Sequence, residues 1–180
     1  MNRRFLIGAL IVLAGIKPIM AHTPYGQWVV YRKKHLLIGS HRADPKTYEV
    51  AKQISKALET HLPKAKSRVA RAPTAGRLAS LIGTNQMDVA VLNREDAVSM
   101  LKGERGYEAY GPIPIRYLAK LGGRVLIAHI RFPNRHAWLV TAALADGEMI
   151  LQRDQSRDHE LQWHPGSLAF LRGEAEPSSD

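Results

Sequence analysis

Apolar and polar positions fall into three patterns along this chain, and each predicts a different kind of segment. The first is an unbroken apolar run from Phe5 to Ile16, preceded by Arg3-Arg4 and followed by Lys17-Pro18-Ile19-Met20-Ala21. A basic start, an apolar middle and a small residue after a helix breaker make a secretory leader, with cleavage after Ala21. The run is too short to cross roughly 30 Å of hydrocarbon comfortably as a permanent span. The second pattern is the short apolar block bounded by polar or turn residues, which predicts buried strands. His35-Leu36-Leu37-Ile38-Gly39, Arg68 to Ala72 and Met87 to Leu92 have this form. Gln27 to Tyr31 could add an edge strand or a strap.

The third pattern is helical. Tyr48, Val50, Ala51, Ile54, Ala57 and Leu58 recur at three-to-four spacing and predict a helix from about Pro45 to His61, stopped by Pro63. Leu78, Leu81 and Ile82 predict a short helix capped by Thr74 and ended at Gly83. Glu95 to Lys102 predicts another, with Glu95 and Asp96 in the turn where the helix dipole favours them. Gly103 to Pro114 reads as loop. Gly123 to Ile130 and Ala137 to Ala143 read as two further strands joined by the polar segment 131–136. From Asp146 the apolar spacing thins to Leu151, Leu161, Trp163, Leu168 and Phe170, and Glu174 to Asp180 has the composition of a segment without fixed structure.

Strand and helix alternating at this spacing predict an α/β fold: a single three-layer lobe with a mostly parallel five-stranded sheet flanked by helices. The expected organisation is a signal peptide at 1–21, one lobe at 22–145 and a partly disordered C-terminal tail at 146–180.

Composition narrows the function. The chain has a net charge of +10; three of its 26 basic residues lie in the leader and none of its 16 acidic ones do, which leaves +7 afterwards. Such a charge favours anionic solutes, lipid headgroups or an acidic protein partner. It is not gathered into the basic stripe with interleaved aromatics that nucleic acid needs, and no nucleic-acid partner is expected. Arg32-Lys33-Lys34 reads as a solvated lead-in to the first strand. Cysteine is absent, which removes disulfides, thiol nucleophiles and a lipoprotein anchor.

The order of elements from His35 to Leu92 resembles the first lobe of type II periplasmic solute-binding proteins, most nearly the TRAP-associated TAXI and phosphonate-binding branches. The residues that carry the resemblance are Leu36-Leu37-Ile38-Gly39-Ser40, Thr74-Ala75-Gly76-Arg77-Leu78 and Gln86 to Asn93. Gln86 and Met87 depart from it, standing where that pattern prefers small residues. The pair 124–130 and 138–141 resembles strands that lead into a second lobe, but too few residues follow to build one. The resemblance implies a periplasmic location and a role in solute transport or sensing.

Ligands of such sheets sit outside the carboxyl ends of the strands, near helix amino-termini. The candidate binding residues are therefore Ser40, His41, Arg42, Thr74, Ala75, Gly76 and Asn93. Arg42 could pair bidentately with a carboxylate or phosphonate, with hydroxyls and amides completing the cradle. Alternatively, Ser40 and Thr74 cap helices and Arg42 is simply solvated. Asp88 reads as a polar residue at a strand start.

No catalytic signature is present: there is no GxSxG elbow, HExxH helix or phosphate loop, and no enzyme activity or cofactor is expected. The eight histidines show no metal-ligand spacing. His22, at the expected mature terminus, could chelate copper only with a further donor. The leading expectation is non-catalytic binding of a small anionic or polar solute. The alternatives are a scaffold that binds a periplasmic or inner-membrane protein through Trp28, Tyr31, Tyr107 and Tyr110, and a metal-binding accessory protein.

Overall fold

A computed structural model describes residues 33–149 and 160–178. The expected leader, the 27–31 strand, His22, Trp28, Tyr31 and Leu151 lie outside the described residues. No described helix is long and apolar enough to cross a membrane.

Five strands form one sheet: β1 (Leu37–His41), β2 (Arg68–Ala72), β3 (Val89–Asn93), β4 (Ile115–Leu121) and β5 (Arg124–His129). Their spatial order is β2-β1-β3-β5-β4. β1 runs parallel to β2 and β3, whereas β5 runs antiparallel to both β3 and β4. The α/β architecture is as expected, but the sheet is mixed and not mostly parallel.

The helices are α1 (Pro45–His61), α2 (Ala75–Gly83), α3 (Arg94–Lys102), α4 (Asn134–Asp146) and α5 (Pro165–Leu171). One core lies between the sheet and the α2/α3 side, with Leu78, Ile82, Met100, Tyr117 and Ile127 at its centre. The other lies under α1 and α4, with Ile38, Ile54, Leu58, Leu126 and Leu144.

The parallel half follows directly from local signals. Asp44 caps α1, its carboxylate accepting from the Lys46 amide at 3.0 Å, and Pro45 occupies the first turn where its missing N–H costs nothing. Ala51, Ile54 and Leu58 face the sheet as their spacing requires. Tyr48 instead stays at the helix flank, where Lys52 and Arg71 approach its ring at 4.9 and 4.7 Å. Gly39 sits in the middle of β1. A Cβ there would lie 2.5 Å from Met87 Sδ and 2.6 Å from Leu78 Cδ1, so the glycine lets α2 and the entry to β3 close onto the sheet.

The antiparallel half departs from expectation twice. Residues 137–143, expected as a strand, belong to α4. Ala137, Val140, Thr141 and Leu144 are buried at helical spacing, and the alanines favour helix. The missing strand is β4, which directly follows the segment read as loop. Gly122 and Gly123, both at positive φ, make a tight hairpin into β5. A register shift between Tyr117 and Ala119 lets β4 supply Tyr117 to one core and Leu118 and Ala119 to the other.

The segment after residue 159 completes the edge. Trp163 bridges Tyr117 in parallel, and the Tyr117 carbonyl accepts from the His164 amide at 2.7 Å. Helix α5 then packs on α4, where the Thr141 hydroxyl lies 2.8 Å from that of Ser167. The Trp138 indole donates to the Glu174 carbonyl at 3.2 Å, and Arg135 pairs with Glu176.

Candidate functional site

The parallel strands place Ser40, His41 and Arg42 beside the Ala72–Gly76 turn, with Asn93 at the end of the next strand. The expected site residues thus share one edge of the sheet, but most of their polar atoms are engaged within the fold. The Ser40 hydroxyl is buried and faces the Ala70 carbonyl at 3.4 Å. It caps no helix. Thr74 caps α2, accepting from the Arg77 amide at 3.1 Å. Asn93 caps α3, accepting from the Asp96 amide at 2.7 Å while its own amide donates to the Asp96 carboxylate at 2.9 Å. Ala75 and Gly76 form the first turn of α2, and the Tyr110 hydroxyl would stand 2.8 Å from a Cβ at Gly76. The Arg42 side chain is exposed; its amide donates to the Ala72 carbonyl.

His41 is the exception. It is 3% exposed, and neither ring nitrogen has a hydrogen-bond partner. Next to this edge, Arg124 pairs with Asp44 at 2.9 Å in a half-buried contact. Because Arg124 stands opposite Asn93 in the ladder, that ion pair straps the β1–α1 connection across the carboxyl end of β3.

A cavity of about 370 Å³ lies at the other end of the sheet. Its lining comes from four places: the approach to β1, the turn after α1, the residue before β3, and the start of α4. Leu36, Leu62, Phe132, Leu139 and Val140 supply apolar walls. Around them stand the exposed side chains of Lys33, Lys34, Lys64 and His136, together with His35. Asp88 is the one carboxylate among the described lining residues. Its surroundings hold its pKa above the ordinary carboxylate value by withdrawing it from water, while His129 and His136 act in the opposite direction.

Two buried histidines stand close to this cavity, and burial favours the neutral form of both. His129 Nδ1 accepts from the Arg131 amide at 3.2 Å, and burial and then the Arg131 charge push its pKa down. His164 Nδ1 accepts from the Gly166 amide at 3.3 Å, while its Nε2 lies 2.9 Å from the Phe132 carbonyl. Burial is the main cause of its lowered pKa. An accepting Nδ1 puts the remaining proton on Nε2 in each ring.

The sequence reading did not single out this cavity. In sequence Lys33 and Lys34 read as a solvated lead-in, and Lys64 and His136 belong to separate, unpatterned segments. Only the fold brings them together. The aromatic set divides as well: Tyr107 is 3% exposed and belongs to the α2/α3 core, so it is unavailable to a partner, whereas Tyr110 is 44% exposed. No group of described side chains has an arrangement that could hold a metal ion. No protein-family model matches the chain, and no curated protein matches it.

Proposed function

We propose that this protein is an exported, non-catalytic binding protein that captures a small anionic solute in the cavity at the amino ends of β1 and β3. The observation that carries this reading is the grouping, among the described residues, of three lysines and two histidines around one cavity with a single opposing carboxylate. Cations converging on a concave apolar site supply both attraction and burial for a small anion. A volume of about 370 Å³ suits a small solute and is too small for a folded partner. The leader-like segment Arg3 to Ala21 supports a periplasmic location, and the likeness to one lobe of type II solute-binding proteins supports a role beside a transport or sensing system. The assignment differs from the usual site of that architecture, since it uses the opposite edge of the sheet.

The test is thermal unfolding of the purified protein against a panel of anions at low ionic strength. Stabilisation by an anion that disappears in Lys33→Glu/Lys34→Glu/Lys64→Glu, with the unliganded melting temperature changed by no more than about 2 °C, is the expected result. Equal stabilisation of the wild type and the triple variant removes the cavity as the site.

A further inference from the structure

The placement of charge within the cavity carries the reading further. Its cations and its apolar surface are separated. Lys33, Lys34 and Lys64 project from the segment before β1 and the turn after α1, whereas Phe132, Leu139 and Val140 belong to the start of α4 and the turn before it. Leu36 and Leu62 continue the apolar surface beneath the lysine side. A compact inorganic anion would meet the lysines but leave the half-exposed Leu139 of the α4 wall in contact with water. An anion carrying a hydrocarbon body would cover that wall and keep its charge at the lysine rim.

Asp88 sharpens the choice. It lies in the same lining, before β3, and its carboxylate forms no hydrogen bond or ion pair among the described residues. Its position between the lysine side and the α4 side follows from the sheet order, because β3 lies between β1 and β5. A second negative charge on a ligand reaching from the lysines toward α4 would approach this carboxylate at the cavity wall. Like charges so placed repel.

Building on the cavity assignment above, we infer that the ligand is an amphipathic monocarboxylate: one anionic head held by the lysine rim, an unbranched or cyclic apolar body lying against Leu139 and Phe132, and no second charge. Asp88 is the selectivity residue that rejects dicarboxylates. His35 and His136 also face the cavity, and His129 stands beside Asp88, its amide donating to the Asp88 carbonyl at 3.0 Å.

Calorimetric titration of the full chain at pH 7.5 with hexanoate, octanoate, the dianion suberate and inorganic phosphate tests this. Each buried methylene contributes about 0.8 kcal/mol, so octanoate binds roughly tenfold more tightly than hexanoate. Suberate, equal in length to octanoate, binds at least about tenfold more weakly, and Asp88→Asn narrows that gap by favouring suberate. Leu139→Ser reduces the dependence on chain length. If that variant fails to fold, Lys64→Glu, on the exposed rim, must weaken every carboxylate. Suberate bound as tightly as octanoate, or no gain with chain length, overturns the inference. Binding of phosphate alone also overturns it while leaving the small-anion reading intact. Silence with every anion overturns both. Binding only to anionic lipid vesicles, with no response to free octanoate, overturns the assignment to a free solute.

Discussion

Both ends of the sheet carry polar side chains but use them differently. At the carboxyl end they serve the fold: Thr74 and Asn93 cap helices, Ser40 is buried, and Asp44 both caps α1 and pairs with Arg124. At the amino end, three lysines and Asp88 have no such duties among the described residues, and they surround a cavity. Polar residues beside helix starts are thus weak evidence for a ligand site, because helix termini need the same side chains for themselves. Polar groups without a structural partner, gathered on a concave surface, are stronger evidence.

Removing the strap should have the largest effect. Asp44→Ala deletes a helix cap and leaves Arg124 half-buried without its carboxylate, and should cost about 2–3 kcal/mol. Differential scanning calorimetry would show a fall in melting temperature of roughly 5–10 °C. A loss under 2 °C would mean that the carboxyl end is not held in this way. Thr74→Ala and Asn93→Ala should each cost about 1 kcal/mol as lost caps, and neither should alter anion response. If either abolishes anion stabilisation without lowering stability, the carboxyl end is the binding site after all.

The amino end should be the acid-sensitive one. His129 and His164 have folded-state pKa values below their unfolded value of about 6.5, because burial disfavours their charged forms. The unfolded chain therefore takes up protons first, and the stability contributed by these neutral rings, complete above about pH 6.5, is lost as pH falls from there toward the lower folded-state values. Amide exchange near residues 129–132 and 164–166 should accelerate on going from pH 7 to pH 5, after correction for intrinsic rates, with little change near 72–76. Uniform acceleration at both ends would erase the contrast.

The smallest effect belongs to Asp88. Its raised pKa means that the folded state holds a proton longer than the unfolded chain, so stability falls as pH rises through the window between the unfolded and folded values and remains lower above it. Asp88→Asn should therefore stabilise the protein at pH 7, by a few tenths of a kcal/mol at most because the side chain is exposed and screened. Chemical denaturation at pH 4 and pH 7 would detect it as a gain present only at the higher pH. A loss at pH 7 would show that the carboxylate has a stabilising partner.

The parallel half of the fold was legible because its signals are local. Asp44-Pro45, the apolar spacing of α1, the Thr74 cap and the Val89–Leu92 run each specify their element within a few residues. The antiparallel half was not, because its apolar segments suit either structure when viewed alone. Residues 137–143 contain Leu139 and Val140 beside alanines, and helix prevails through the burial of Ala137, Val140, Thr141 and Leu144 along one face. In β4, Ile115, Tyr117, Ala119 and Leu121 do alternate, but the register shift at Leu118 moves the buried face partway along the strand. The Gly122-Gly123 pair was the signal that could have identified the hairpin.

The same division holds for the site. Sequence by itself determined an α/β chain with a leader-like start, an excess of positive charge, no cysteine chemistry and a set of well-capped helices, since all of these depend on residues close together or on composition. Only the tertiary structure decided which charges have work inside the fold and which remain free to meet a ligand. Lys33, Lys64, Asp88 and His136 come from four segments with no shared motif, and they meet because β1 and β3 lie side by side while α1 and α4 cover the same face. Sheet order and helix placement are set by burial summed over the whole core, and no local window of sequence contains that sum.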